Sequence, residues 1–502
     1  MDRIYFDELA TAVYPSRLLH SFGVNGKVSG SVGAIGEIQG NVLVVLHGPL
    51  GCGFHYRFSA RRRHQPFYRV LTTDLGEEEI VFGGGEKLER TLREAWSRYQ
   101  PELIFAVPTP VSDILNEAVL ETAERLRREG IPVVGVQSEL FSHRDKNYSK
   151  NRLKELSKQK LTGNETLEME LKGCGFTEAL YAIVGQVMEK QPVIPGSVNI
   201  ETVGWGSEGK LVLREIEKTL GLAGITVNTW IPSTSVEQLK KAPAAQLNLV
   251  KRIRWARRMK ALYGTDYLHL NDSGRYVGLD GIARFYTDIG EKLGRQEAMA
   301  QAVARETDRV RQQTAQAKAY IRQHRGVLVC RGLQSVPFTL KTYAKELEMP
   351  IQAVCVFQTQ RMKVTSGITP EIEANLMDRI DQAVELFSPG TKVLVNPDRA
   401  CLGRLFGQAD AVVGTEDLTL EGLGAPLIGA VNRLTGPSFD SYIRMVKRFA
   451  ACLETAEPRE ELVLGRMPFD TDDYPRCSNA STSAARQMWE RMWLDRRKEA
   501  QP

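Results

Sequence analysis

At 502 residues the chain is too long for a single core and predicts two to four domains of ordinary size. Its 42% apolar and 25% charged content is that of a water-soluble globular protein, and a net charge of +5 is too small for this length to mark a dedicated nucleic-acid binder. Met1-Asp2-Arg3 leads into mixed polar sequence, and no apolar run approaches the roughly 20 residues of a membrane span. Neither a signal peptide nor a membrane segment is expected, and the chain reads as cytoplasmic.

Strand-like apolar runs alternate with helical ones along most of the chain. The first region offers strands at 42–46, 103–107 and 132–136, with helical stretches at 86–98 and 114–128 between them. A second offers a strand at 197–203, an amphipathic helix at 211–222 and a strand at 225–230. A third offers strands at 326–330, 351–357, 392–395, 409–413 and 426–430. Short parallel strands joined by crossover helices are the pattern of doubly wound α/β domains, so three Rossmann-like parallel-sheet domains are expected. Polar sequence at 143–162 reads as a surface excursion, and the Gln-, Ala- and Arg-rich stretch at 290–325 as one long helix bridging to the third domain. The boundaries fall at 1–190, 191–322 and 323–456, followed by a C-terminal helical tail at 457–502.

The most informative stretch is 41–88. It reads NVLVVLHGPLGCG, then a basic run, then TTDLGEEEIVFGGGEKL. An apolar strand enters a tight loop with Cys52 at its tip, and the flanking Gly51 and Gly53 let backbone amides come close to whatever that sulfur holds. His47 reads as a residue that positions the loop through hydrogen bonds, and Asp74, Glu77, Glu78 and Glu79 as a helix start. The basic run Arg57, Arg61, Arg62, Arg63 and His64 fits a solvated face as well as it fits attraction of an anionic cofactor or an acidic partner.

Seven cysteines are scattered without C-x-x-C spacing, which argues against a disulfide framework and a self-contained metal site. Cys330 and Cys355 lie inside strand-like runs and read as core; Cys174, between glycines, is an outside candidate ligand. Gly204-Trp205-Gly206-Ser207-Glu208-Gly209 follows a strand and opens a helix, but the acidic residue expected after the next strand is missing. A tight turn is the plainer reading, with a nucleotide-dependent α/β enzyme as the less favoured one. A Walker A sequence is absent, so any ATP-driven chemistry needs another polypeptide.

The HGP-x-GC loop followed by D-x-x-E-x-[DE]-IVFGG resembles the cluster-binding region of the nitrogenase component 1 superfamily. Weaker matches follow in order: Gly175-Phe176 with a helix after it, 245–250 as a helix start, Gly332-Leu333 as a glycine-rich turn, 409–414, and the punctuation at 424–427 and 436–437. The resemblance implies three Rossmann-like domains of the nitrogenase component 1 type, with 1–190 as the cluster-binding one. It also implies a homologous sister subunit and a separate ATP-binding iron–sulfur reductase homodimer that supplies electrons.

The departures narrow that reading. Two cluster cysteines of the catalytic subunits fall here on Gly26 or Lys27 and on Thr109 or Pro110. The cofactor cysteine falls on Lys251-Arg252, and the cofactor histidine near Ala430. With Cys52 alone retained, the resemblance points to a [4Fe–4S] cluster shared with a partner subunit, three thiolates from one chain and one from the other. By family position the substrate or cofactor pocket is expected near Arg57, Arg61, Cys174, Phe176, Gly332, Leu333 and Gln334. It would hold a second metallocluster or a tetrapyrrole-like substrate. Two functions fit: an electron-transfer subunit of a nitrogenase-like reductase, or a non-catalytic scaffold on which a metallocluster is assembled.

Overall fold

The computed structural model describes residues 3–5, 26–54, 70–115, 117–137, 158, 175–202, 209–270, 275–358, 363, 368–414, 427–428 and 437–455. The basic run 57–64, Cys174, the core of the glycine turn after residue 202 and the tail at 457–502 lie outside them. Fourteen strands are found among the described residues, and they form three all-parallel sheets. The first strand, β1 (Arg3–Tyr5), joins the third sheet.

The first sheet runs in the order β3-β2-β4-β5, from β2 (Val42–His47), β3 (Val70–Thr72), β4 (Leu103–Pro108) and β5 (Val133–Gly135). Its strands read as continuous apolar runs because both faces are covered. Val44 and Leu46 point into a core shared with the helices Gly26–Ile35, Gly175–Gln186 and Ile253–Tyr263. Leu43 and Val45 point the other way, onto the helices Gly85–Tyr99 and Val119–Arg128. The expected acidic helix start is there: Gly76 precedes the helix Glu77–Phe82, and its N–H donates to the Glu79 carboxylate at 2.8 Å.

The second sheet, β7-β6-β8-β9, is built from β6 (Ile194–Glu201), β7 (Thr226–Ile231), β8 (Ala245–Val250) and β9 (Asp266–His269). Residues 245–250 were expected to open a helix and instead form β8, the helix starting only at Ile253. The period decides it. Leu247 and Leu249 face one core, while Asn248 between them accepts from Asn199 Nδ2 of β6 at 2.8 Å, a pairing only a strand provides. The stretch 290–325 also differs from the single helix expected. Gly294, at φ +67°, closes the helix Gly278–Leu293, and the bridge is a separate helix of 26 residues, Gln296–Ile321.

The third sheet runs β1-β12-β11-β10-β13-β14, with β10 (Gly326–Arg331), β11 (Ile351–Phe357), β12 (Lys392–Val395), β13 (Ala411–Val413) and β14 (Leu427–Ile428). Cys330, Val354 and Val356 face the core shared with the second sheet, and Val329 and Cys355 face the opposite one. Both cysteines are core residues, as their runs indicated.

All three sheets have a place where successive strands stop adding to one side and begin adding to the other. It falls between β2 and β4, between β6 and β8, and between β10 and β13. Open parallel sheets bind ligands in the crevice outside the carboxyl ends of the strands at such a point.

Candidate functional site at three strand-end crevices

At the first crevice β2 ends on His47, and the chain turns through Gly48 and Pro49 into a helical turn at 50–54 that carries Cys52. Neighbouring strand ends hold this turn. Thr73, after β3, accepts the Gly48 N–H on its hydroxyl at 3.0 Å and lies 3.1 Å from His47 Nδ1. Thr109 and Ser112, after β4, donate their hydroxyls to the His47 carbonyl at 2.8 and 2.7 Å. Asp74, in the left-handed region at φ +54°, accepts the Leu50 N–H at 3.2 Å. The Cys52 N–H closes the turn on the Pro49 carbonyl at 3.0 Å. The Thr109 side chain crosses where a Gly48 side chain would be, so glycine is needed there for the approach itself.

His47 is fully buried, with Nε2 3.7 Å from a Glu117 carboxylate oxygen. Burial outweighs that carboxylate and lowers the imidazole pKa, which keeps the ring neutral at pH 7, a loop-positioning group as the sequence indicated. Cys52 is half-buried, and burial pushes its thiol above the ordinary cysteine value. The same sheet edge exposes Leu50, Phe54, Ile80 and Ile114, with Val81 at 72% and Phe82 at 85%. The helix Glu77–Phe82 buries none of its residues. Among the described residues, no group of three or more His, Cys, Asp or Glu side chains is placed to hold a metal ion.

At the second crevice Glu201, the last residue of β6 and fully buried, gathers donors from the turn after β8. It accepts the N–H groups of Lys251 and Arg252 at 2.9 and 3.1 Å, the Trp255 indole N–H at 2.9 Å, and the Arg252 guanidinium. A buried carboxylate needs such company, since unpaired it would be costly in a dry site. His269, ending β9, places Nε2 3.2 Å from the Lys251 carbonyl. Arg252 also lies 4.9 Å above the ring of Phe176, which opens the helix Gly175–Gln186. A Cβ on Gly33 would lie 3.3 Å from the edge of that ring. The pocket candidate Phe176 is therefore brought from the first region of the chain to the second crevice.

At the third crevice Gly332, at φ +79°, follows β10. The Leu333 N–H donates to Gln358 Oε1 at 3.1 Å, and the Gln358 backbone N–H to Asn396 Oδ1 at 2.7 Å. Leu333 itself is fully buried in the core, while Gln334 and Arg331 are exposed. Of the seven pocket candidates, Phe176 belongs to the second crevice and Gly332, Leu333 and Gln334 to the third; Arg57, Arg61 and Cys174 lie outside the described residues. Sequence reasoning passed over Glu201, Thr73 and His269. An acidic residue at the very end of an apolar strand was the available signal for Glu201.

The family model for nitrogenase component 1 type oxidoreductases matches residues 27–387. The chain belongs to that family. It is 26% identical over 329 residues to the nitrogenase iron-molybdenum cofactor biosynthesis protein NifE of a Nostoc species, covering 62% of this chain and 60% of that one. It is 34% identical over 113 residues to component CfbD of the Ni-sirohydrochlorin a,c-diamide reductive cyclase complex of Methanothermobacter thermautotrophicus, 22% of this chain and 30% of that one. A light-independent protochlorophyllide reductase subunit from Heliobacterium modesticaldum is 25% identical over 261 residues, 50% of this chain and 44% of that one. The matches thus span 60% or less of these relatives. A solved structure described as nitrogenase Cp1 at pH 6.5 superposes with a TM-score of 0.52 at 16% identity, over 88% of this chain and 89% of that one, and shares the fold. Among the described residues no helix is long and apolar enough to cross a membrane.

Proposed function

We propose that this family member is a subunit of a nitrogenase-like, ATP-dependent reductase complex, working in the cytoplasm. Cys52 would give one thiolate to an iron–sulfur cluster of the [4Fe–4S] type, and a homologous sister subunit the other three. A separate ATP-binding iron–sulfur homodimer would deliver low-potential electrons to that cluster. From there they pass to a substrate or cofactor in a cleft where the three domains, 1–190, 191–322 and 323–456, meet. A bound cluster supplies one-electron redox chemistry, and the chain's own part is to hold the ligand loop, exclude water around it and frame the cleft.

The observation that carries this reading is Cys52 at the first switch point, on a loop fixed by Thr73, Asp74 and Thr109 and bordered by exposed apolar side chains. One thiol fits a cluster only as a contributed ligand, and the apolar rim fits cover by another subunit. The test is anaerobic co-purification with the neighbouring component 1-like subunit, then iron quantitation and EPR, for wild type and Cys52→Ala. About four irons per heterodimer with a cubane signal that the variant changes is the expected result. An iron-free complex indifferent to the substitution would sink the proposal.

The scaffold reading draws support from the relative named for iron-molybdenum cofactor biosynthesis, whose match is the longest of the three described above. Transfer of a metallocluster to an apo-acceptor, without turnover of a small molecule, would favour it.

A further inference from the structure

The first crevice holds a buried titratable pair that the proposed electron path leaves unused. His47 ends β2 five residues before Cys52, and its ring is fully buried. The Nδ1 edge meets the Thr73 hydroxyl at 3.1 Å. The opposite edge packs on Gly84, where an added Cβ would lie 3.0 Å from Cε1 and 3.3 Å from Nε2, beside the Leu75 side chain. Nε2 is buried there without a hydrogen-bond partner. It faces the Glu117 carboxylate, 3.7 Å away and just past hydrogen-bond reach.

Glu117 belongs to the turn after β4 and is itself held. One oxygen accepts the Gly84 N–H at 2.6 Å, while the other is turned to His47. Its side chain is 9% exposed, so it gives the buried ring its contact with solvent. Thr73, Thr109 and Ser112, which also reach His47, are neutral hydroxyls. Asp74 is turned to the Leu50 N–H, and Lys87 is taken by Glu79 and the Asp74 carbonyl. A buried nitrogen left bare beside a carboxylate is a costly arrangement that a single proton relieves, as a charge-assisted hydrogen bond.

We propose that His47 and Glu117 form a proton acceptor for the cysteine loop: negative charge arriving at Cys52 draws a proton from solvent onto Nε2, where Glu117 holds it. In the proposed complex that charge is the electron delivered to the cluster, so the inference rests on that reading and adds to the same site a regulation by pH. One electron comes from the reductase and one proton from solvent. The imidazole becomes imidazolium, Glu117 stays ionised, and the net charge of the site is unchanged. Burial holds the ring neutral until then, against the pull of Glu117. A unit charge about 10 Å away, at an effective dielectric of about 20, changes a proton affinity roughly tenfold. Because the reduced state binds the proton more tightly, reduction becomes harder as pH rises through the window between the two affinities. That window opens below the ordinary histidine value of about 6.5.

The first test needs no cluster. The iron-free full chain, labelled with 13Cε1-histidine, is titrated by NMR, and the His47 resonance is assigned by its loss in His47→Gln. Cys52→Asp places a fixed charge on the loop, and Cys52→Asn a neutral group of the same shape. The proton affinity of His47 should be about three- to tenfold higher in Cys52→Asp, and Glu117→Gln should lower it in either background. Alkylating Cys52 with iodoacetate or with iodoacetamide makes the same comparison without a substitution. Equal affinities with and without the charge overturn the inference, as does a folded Glu117→Gln that leaves them unmoved. In the co-purified complex, the cluster's reduction equilibrium should change by the same three- to tenfold across the window, about 30–60 mV for one electron, and lose that dependence in His47→Gln. A normal cluster whose potential ignores pH and His47 removes this inference alone, and an iron-free complex removes the cluster proposal.

Discussion

Replacing Gly48 by alanine asks how the cysteine loop is held. The added carbon would lie 2.7 Å from Thr109 Cγ2 and 2.9 Å from its Cβ, and closer still to Oγ1. Because Cβ does not move when a side chain changes rotamer, relief requires the backbone at 48 or 109 to shift. Thr109 resists that shift, since its hydroxyl is bonded to the His47 carbonyl at 2.8 Å and its N–H to Ser112 Oγ at 2.9 Å. Overpacking such a contact costs about 1–3 kcal/mol. Each hydrogen bond lost in the shift adds about 0.5–1.5 kcal/mol. The first domain should therefore lose about 2–4 kcal/mol on Gly48→Ala. Gly51, three residues along, has open space where its Cβ would go, so Gly51→Ala should stay within about 0.5 kcal/mol of wild type. Combining Gly48→Ala with Thr109→Ala removes the two nearest atoms and should recover part of the loss. Urea unfolding followed by circular dichroism, with hydrogen exchange to localise the effect to β2 and β4, measures all three. Equal stability of Gly48→Ala and Gly51→Ala would refute the reasoning.

Glu201→Gln removes the charge that neutralises Arg252 in a buried site and should destabilise by about 3–5 kcal/mol; a change below about 1 kcal/mol in chemical denaturation would contradict the described role. Asp266 is drawn upward by burial, but hydrogen bonds from Lys260 and Lys292, each at 2.7 Å, hold its carboxyl down at about 2. With a folded pKa below the unfolded value of about 3.9, its contribution is complete above that pH and is lost as pH falls toward 2. Half-exposure limits it to at most about 1 kcal/mol, and Asp266→Asn should flatten the acid limb of stability over that window alone. In thiol labelling of the native chain, Cys52, Cys401 and Cys452 should react, while Cys355 and Cys330, whose thiol burial pushes up to about 11, should wait for unfolding. Rapid native labelling of Cys355 would show that its strand is not the buried one described. Val81→Ser with Phe82→Ser should leave the chain's melting temperature nearly unchanged and weaken capture of the proposed sister subunit at least about tenfold, since a buried phenylalanine is worth about 1.5–3 kcal/mol; undiminished capture in a pull-down titration would show that this apolar rim is not where the proposed subunit docks.

The sequence was most legible where one local signal sufficed. The run 42–47 is apolar at nearly every position because both faces of β2 are covered, and the glycines around Cys52 mark a loop that the strand cannot continue through. It was less legible where tertiary partners decide. The Leu-Asn-Leu alternation of β8 is too short to separate strand from helix without seeing Asn199 opposite it. β3 has only three residues and announces nothing. Gly294 breaks the stretch 290–325 through its backbone conformation, whereas a lone glycine in a helical pattern is often tolerated. Glu201 was overlooked for a more general reason. An isolated acidic residue usually faces water, and only the four donors assembled from the turn at 251–255 make it a core residue.

The cores are not divided as the sheets are. One apolar cluster joins the first sheet's inner face to Ile231, Val250 and Trp255 of the second region, and another joins Val198, Ile200 and Leu249 to Val354, Val356 and Phe449. The middle sheet thus belongs to both, and neither neighbour can be excised without stripping apolar surface from it. Melting should be cooperative across all three sheets, and a fragment ending at residue 190 should aggregate rather than fold. Any opening of the crevices must come from sliding between packed layers, because a wide hinge swing would expose these shared interiors to water.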